Sequence, residues 1–195
     1  MKNTKKMVAL LLALVLVLGC AIGGTIAYLM DKTTTITNTF TSSNVSIELN
    51  ETKPAGKTEK MVPGLVIEKD PTVTVIANSE KCYLFVKVTK SANFDNFMTY
   101  DIREGWNQLK NGDTPVEGVY YREVDTSAEN QNFPVLAAIG NYGSGAVAVK
   151  KEVTKTMMTK DFAAPTLSFT AYAIQFSHLE SVTDAYGAWN LIDKT

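Results

Sequence analysis

The chain contains one histidine, His178, so chemistry that depends on an imidazole has a single candidate residue. Histidine is the usual general acid or base near neutral pH and a common zinc ligand. A zinc peptidase needs two histidines at i and i+4 on a helix with a glutamate between them, whereas His178 is accompanied only by Glu180. Because two ligands do not make a zinc site, we interpret His178 as a loop residue. We expect no catalytic residue, no metal and no other cofactor.

Acidic side chains occur in close pairs, Glu48 with Glu51 and Asp101 with Glu104. Such pairs serve acid-base catalysis or calcium binding in other proteins, but the chain has no Asp-x-Asp-x-Asn-Gly loop. We therefore interpret them as solvated charges. Segment 141–145 contains Gly-Ser-Gly, yet it lacks the lysine of a phosphate-binding loop and the spacing of a nucleophile turn. It predicts a flexible loop.

Cysteine chemistry is equally limited, because the chain has only Cys20 and Cys82. Cys82 opens an alternating run in which it shares a face with Leu84, Val86 and Val88. A small apolar residue in that position is typical of a buried strand residue. With Cys20 in an apolar leader, no disulfide framework is predicted.

Charge excludes nucleic acid as a partner. The chain carries 19 basic and 20 acidic side chains, and its first 27 residues contain three of the lysines and no acid. The remainder is therefore mildly acidic, with its lysines scattered among acids. It has neither a phosphate-binding stripe nor a polybasic membrane patch.

The N-terminus predicts export from the cytoplasm. Lys2, Lys5 and Lys6 precede an apolar run over 7–18, and the small residues Thr25 and Ala27 occupy the two positions that a signal peptidase must accommodate. Cleavage is expected after Ala27, which would leave Tyr28 as the new N-terminus. We expect the protein to be secreted, in the extracellular matrix or at the cell surface.

Two alternatives for the leader stay open. Residues 7–30 are apolar and long enough to cross a bilayer as an uncleaved anchor. Residues 17–20 also resemble a lipoprotein cleavage box, in which Cys20 would be acylated. The apolar stretch that continues after Cys20 is unusual for a lipoprotein.

After the leader, period-two alternation of β-branched and aromatic residues predicts an antiparallel β-sandwich with short helical insertions. Residues 42–195 are expected to form this domain. Helical spacing of Phe94, Phe97 and Tyr100 is followed by a predicted tight turn at 111–113. Strands are predicted over 35–40, 45–49, 72–76, 82–88, 118–124 and 167–175.

The C-terminus predicts a short helix. Residues 181–184 resemble a capping box with Ser181 as the N-cap. Val182, Ala185, Tyr186 and Trp189 then share a helical stripe, which we expect to cover an end or an edge of the sandwich.

The junction at 24–31 resembles the Gly-x-x-Ala-aromatic-x-x-Asp pattern of the TasA/camelysin-like matrix proteins of Gram-positive bacteria, which are exported through a SipW-type signal peptidase. Segments 38–40, 45–49, 62–64, 70–73 and 171–175 are also similar to that family. The chain departs from it at Asn44, where relatives often have glycine, and over 91–160, where the similarity ends.

The resemblance implies a jelly-roll fold and a non-enzymatic subunit of biofilm matrix fibres. Its partners would be a signal peptidase of SipW type, further copies of itself and other matrix components. Segment 28–41 would be donated as a strand to the next subunit, with Ile36 and Phe40 as anchors. This segment is free of proline and glycine and low in charge, which suits strand addition. It is also compatible with a first strand paired within its own domain.

Two other functions stay open. The camelysin branch implies a metal-dependent peptidase, which would take ligands from His178 and from Glu180 or Asp184. A third reading is a monomeric binding module held at the cell surface by an uncleaved anchor.

Overall fold

The computed structural model describes residues 44–52, 61–158, 162–176, 182 and 184–192. All of them belong to the second of the two units into which the chain divides, Thr41–Thr195. Several predictions concern residues outside this part of the chain: Thr25, Ala27 and Tyr28 at the cleavage site, Cys20, the anchors Ile36 and Phe40, and His178 with Glu180 and Ser181.

Antiparallel strands dominate the described residues, as the period-two pattern predicted. The ten strands are β1 (Ile47–Asn50), β2 (Val66–Glu68), β3 (Thr72–Val75), β4 (Cys82–Lys90), β5 (Met98–Thr99), β6 (Asn107–Asn111), β7 (Thr114–Val124), β8 (Gln131–Pro134), β9 (Ala146–Val149) and β10 (Leu167–Gln175). Two short helices, α1 (Phe94–Phe97) and α2 (Ala185–Leu191), and a 3-10 turn (Lys155–Met157) complete the described elements.

The strands form three sheets. Their orders are β1-β3-β8, β10-β4-β7-β6 and β2-β9-β5. Neighbours in these sheets are mostly distant in sequence, so tertiary pairing rather than local hairpins holds most strands in place. The predicted turn at 111–113 is an exception, because it joins β6 to β7 directly.

The four-stranded sheet is apolar on both faces, which explains why β4 is almost continuously buried. Cys82, Leu84 and Val86 share one core with Val73 and Val75 of the sheet β1-β3-β8. The alternate residues of β4 pack on the opposite face, where Tyr83 and Phe85 meet α2. A third core, around Phe94, Leu136 and Val147, is associated with the sheet β2-β9-β5.

The C-terminal helix was predicted correctly, but its cap was not. Helix α2 begins at Ala185, and the N-cap is Asp184, whose Oδ1 accepts a hydrogen bond of 2.7 Å from the Gly187 amide. Asp184 therefore occupies the N-cap position that was predicted for Ser181. Ala185 and Trp189 of the predicted stripe are buried, together with Ala188.

The middle of the chain was predicted only in part. The helical spacing of Phe94 and Phe97 corresponds to one turn, α1, after which the chain becomes extended at β5. The predicted strand 118–124 is the second half of the longer β7. Strands β2, β5, β6, β8 and β9 were not predicted.

Candidate strand-acceptor edge

Strand β10 lies at the edge of the four-stranded sheet and pairs with β4 over its whole length. All nine residues are in register, from Leu167 opposite Lys90 to Gln175 opposite Cys82, with no interruption. At about 3.4 Å per residue, this strand is roughly 30 Å long. It is therefore the longest edge strand in the described part of the fold.

Hydrogen bonds at both ends of β10 establish which of its amides face outward. The Phe176 amide donates to the Lys81 carbonyl at 2.7 Å, and the Ser91 amide donates to the Thr166 carbonyl at 3.0 Å. Even-numbered residues therefore bond to β4, because hydrogen-bonded pairs alternate along an antiparallel ladder. The N–H and C=O groups of Leu167, Phe169, Ala171 and Ala173 point to the opposite side, where no described strand pairs with them.

The sequence of β10 offers none of the usual protection of an edge. Exposed edges are normally protected by lysine, proline, a bulge or a short strand. Strand β10 reads LSFTAYAIQ, with no charged residue and no proline. Its unpaired side is therefore suited to accept another strand.

The other sheet edges contrast with β10. Strand β6 has a bulge between Gln108 and Lys110, and Lys110 is exposed. Strand β8 is four residues long and ends in Pro134, and β1 is four residues long and contains Glu48. Strands β2 and β5 have three and two residues.

Apolar side chains beside the β10 edge are incompletely covered. Strand β1, an edge of the facing sheet, lies against β10. Val45, Ile47 and Leu49 are half-buried and pack against the same core as Ala171 and Ala173. Ala171 and Ala173 have small side chains, so they cover these three residues of the core only thinly. A strand added at this edge would bury its inward side chains over these residues.

Comparisons with protein-family models, with curated proteins and with solved structures gave no match.

The N-terminal end of β10 is held by a polar cluster from the loops beside it. Lys69 Nζ lies 5.8 Å from the centre of the Phe169 ring and 2.8 Å from Glu51 Oε1. The neighbouring Asp70 is buried, and its carboxylate accepts hydrogen bonds from the amide and hydroxyl of Thr52. These contacts fix the chain just after β1 beside β10. The sequence predicted that Glu51 is a solvated charge. This prediction is wrong, because Glu51 forms an ion pair with Lys69.

The candidate chemical residues that the structure describes are not brought together. In the described part of the chain, no group of three histidine, cysteine or acidic residues could hold a metal. Asp184, a ligand in the metallopeptidase hypothesis, caps helix α2 instead. Asp101 and Glu104 are exposed. Within the described ranges, no helix has the length and apolarity needed to cross a bilayer.

Cys82 is a buried core residue, as predicted. Burial raises the pKa of its thiol from 9.0 to about 11, because the interior disfavours the thiolate. The thiolate is the nucleophilic form, so this environment is unsuited to a reactive cysteine.

The loop at 141–145 is pinned rather than free. The Arg103 guanidinium donates to the Gly143 carbonyl at 2.6 Å, and the Ser144 hydroxyl donates to the Glu68 carboxylate at 3.0 Å.

Sequence reasoning predicted strand β10 but missed that it forms an edge. The absence of charge and proline from LSFTAYAIQ was the available signal.

Proposed function

We propose that the protein is a secreted, non-enzymatic structural subunit of extracellular matrix or biofilm fibres, which assembles by donating a strand to the β10 edge of the next copy. The observation that carries this proposal is the nine-residue β10 edge, which lacks charge, proline and bulges. In this proposal the two sheets that share a core form a β-sandwich of jelly-roll type.

The donor is segment 28–41. It contains neither proline nor glycine, so each residue can contribute an N–H to a ladder and keep an extended conformation. Ile36 and Phe40 are four residues apart and share one face of a strand. Both would pack over the half-buried Val45, Ile47 and Leu49. Burying each anchor side chain stabilises the joint by about 1.5–3 kcal/mol.

Export makes the donor available in this proposal. Cleavage after Ala27 by a signal peptidase of SipW type leaves Tyr28 at the N-terminus, which gives segment 28–41 a free end. Each subunit then carries one donor and one acceptor. Head-to-tail contacts of this kind produce open filaments rather than closed rings when the rotation between subunits does not close.

Complementation between two disabled variants tests the proposal. A variant without residues 28–41 keeps the acceptor but has no donor. The variant Ala171→Pro keeps the donor but loses an outward N–H, whereas the ladder to β4 uses the even-numbered residues and is preserved. Ala171→Ser retains the N–H and serves as the matched control.

We expect each disabled variant alone to stay monomeric, Ala171→Ser to form fibres, and a mixture of the two disabled variants to form one-to-one dimers. Electron microscopy and analytical ultracentrifugation measure these states, and circular dichroism verifies that each variant is folded. Fibres from the truncated variant, or a mixture that stays monomeric, would disprove assembly by this donor and acceptor.

A further inference from the structure

The chain has only two arginines, Arg103 and Arg122, and their environments differ. Arg103 is used by the fold: its Nε donates to the Leu136 carbonyl at 3.0 Å and its terminal nitrogen to the Gly143 carbonyl at 2.6 Å. Arg122 makes no hydrogen bond or ion pair with the described residues, and its Nε is buried without a partner. It is the unusual one of the two.

Arg122 is half-buried, and its Nε lies on the part of the side chain that is shielded from water. The residue lies on β7 opposite Leu84, which is fully buried in the core between the two sheets. Burial lowers the pKa of the Arg122 guanidinium, because the interior disfavours its charge. A buried N–H donor such as Nε is ordinarily hydrogen-bonded.

Two aromatic rings hold the Arg122 guanidinium in place. Its central carbon lies 4.1 Å from the centre of the Phe133 ring and 5.6 Å from that of the Trp106 ring. The Trp106 indole is itself fixed, since its Nε1 donates to the Pro134 carbonyl at 3.0 Å. Aromatic rings satisfy the face of a guanidinium but not its in-plane N–H donors. The in-plane donors are therefore available to an acceptor from another molecule, and Nε is buried without one.

Gly105 lies beside the terminal nitrogens of Arg122 and has no side chain to cover them. Gly105 has φ +93, and a Cβ there would stand 3.6 Å from both Nη1 and Nη2 of Arg122. A side chain at residue 105 would therefore begin in van der Waals contact with these donors. Two acids follow Arg122 closely in sequence, but both are engaged elsewhere: Glu123 and Asp125 lie 3.4 and 3.3 Å from Lys81 Nζ.

We propose that Arg122, clamped by Trp106 and Phe133, is a binding site for a carboxylate delivered by another molecule. A planar guanidinium with open in-plane donors matches the two oxygens of a carboxylate. The source is an acidic side chain of a second copy or a small free carboxylate. The excess of acidic over basic side chains outside the leader makes a second copy a ready supplier. Strand β4 separates β7 from β10 in the sheet, so this site is distinct from the strand-acceptor edge.

Nitrogen-15 NMR of the exported protein tests the proposal directly. The chain has two arginines and two tryptophans, so its Nε–H and indole signals are few and assignable. Solution spectra serve for monomeric protein and magic-angle-spinning spectra for assembled protein. Sodium acetate is titrated against sodium chloride and sodium phosphate at constant ionic strength, and Arg103 and Trp189 provide internal references.

We expect acetate to shift the signals of Arg122 and Trp106 saturably while those of Arg103 and Trp189 stay unchanged. Arg122→Lys keeps the charge but loses the bidentate geometry, and should bind acetate at least about tenfold more weakly. Lys110→Gln removes an equal charge from an exposed site on β6 and should bind acetate normally. No shift, equal shifts at both arginines, or a stronger response to chloride or phosphate would overturn the proposal.

A dilution series separates the two sources of carboxylate. If a second copy supplies it, the Arg122 signal moves away from its carboxylate-bound position as the protein is diluted in the absence of acetate, and added acetate competes with self-association. If the ligand is a small molecule, the signal is independent of protein concentration. Both results support a carboxylate site, and neither depends on the strand-donation proposal.

Discussion

Gly118 of β7 faces the backbone carbonyl of Val88 on β4 so closely that a Cβ at residue 118 would overlap the Val88 oxygen. The same glycine has φ +68. It lies in the part of β7 where pairing with β6 is interrupted by the bulge. Close approach and left-handed backbone together explain why a glycine stands in the interior of this strand.

Replacement of Gly118 by alanine should therefore destabilise the fold more than the same replacement at Gly112, which has a left-handed backbone but no close neighbour. Gly112, in the β6–β7 turn, has φ +59, but a Cβ at that residue would meet nothing within 4 Å. A left-handed alanine costs roughly 1–2 kcal/mol, which both variants incur. Gly118→Ala must in addition move the Val88 backbone. Urea unfolding of the two variants measures the difference, and equal losses would show that the close approach is relieved without cost.

Cys82 should make the protein sensitive to alkali. Below pH 9.0, its ordinary pKa, the thiol is protonated in both the folded and unfolded states. Above that value the unfolded chain loses the proton, while the folded state keeps it up to about pH 11. The free energy of unfolding therefore falls as the pH rises through this range. Tyr100 adds a similar loss at higher pH, because burial raises the pKa of its hydroxyl from 10.0 to about 12.

The matched control is Cys82→Ala, which removes the thiol and leaves Tyr100 in place. Urea unfolding is measured from about pH 8 to about pH 10, at or below the ordinary pKa of tyrosine. The free energy of unfolding should decline less steeply with pH for this variant than for the unsubstituted protein. A native-state reaction with a thiol reagent near neutral pH provides a second measurement, and rapid labelling of Cys82 would contradict a buried, protonated thiol.

Strand β10 was predictable because its nine residues repeat a period-two pattern. Strand β4 was predictable from its run of aromatic and apolar residues, whereas only the second half of the longer β7 was predicted. Strand β8 reads QNFP, which has no local preference for a strand, and it exists because β3 pairs with it. Such short segments depend on partners far away in sequence.

The candidate sites were less predictable for the same reason. The sequence identifies β10 as a strand, but its edge position follows from which strands pair elsewhere in the sheet. The sequence pattern around Arg122 was more informative than the pattern of β10. Alternation in 118–124 puts it on the same face as Tyr120 and Val124, so an arginine on an apolar face was visible before the structure, although its aromatic neighbours Trp106 and Phe133 were not.

The cap of helix α2 should contribute measurably to stability, because a seven-residue helix is marginal without it. Asp184→Ala removes the acceptor for the Gly187 amide and should lower the free energy of unfolding by about 1 kcal/mol. Asp184→Asn retains an acceptor and should lose only a fraction of that amount.

Trp189 reports on the same change, since its ring centre lies 5.3 Å from those of Phe85 and Tyr172. Fraying of the helix would expose this indole and shift its fluorescence to longer wavelength in the alanine variant but not in the asparagine variant. If both variants were as stable as the unsubstituted protein, packing of Trp189 against the sheet would be sufficient to hold α2, and the Asp184 hydrogen bond would contribute nothing measurable to stability.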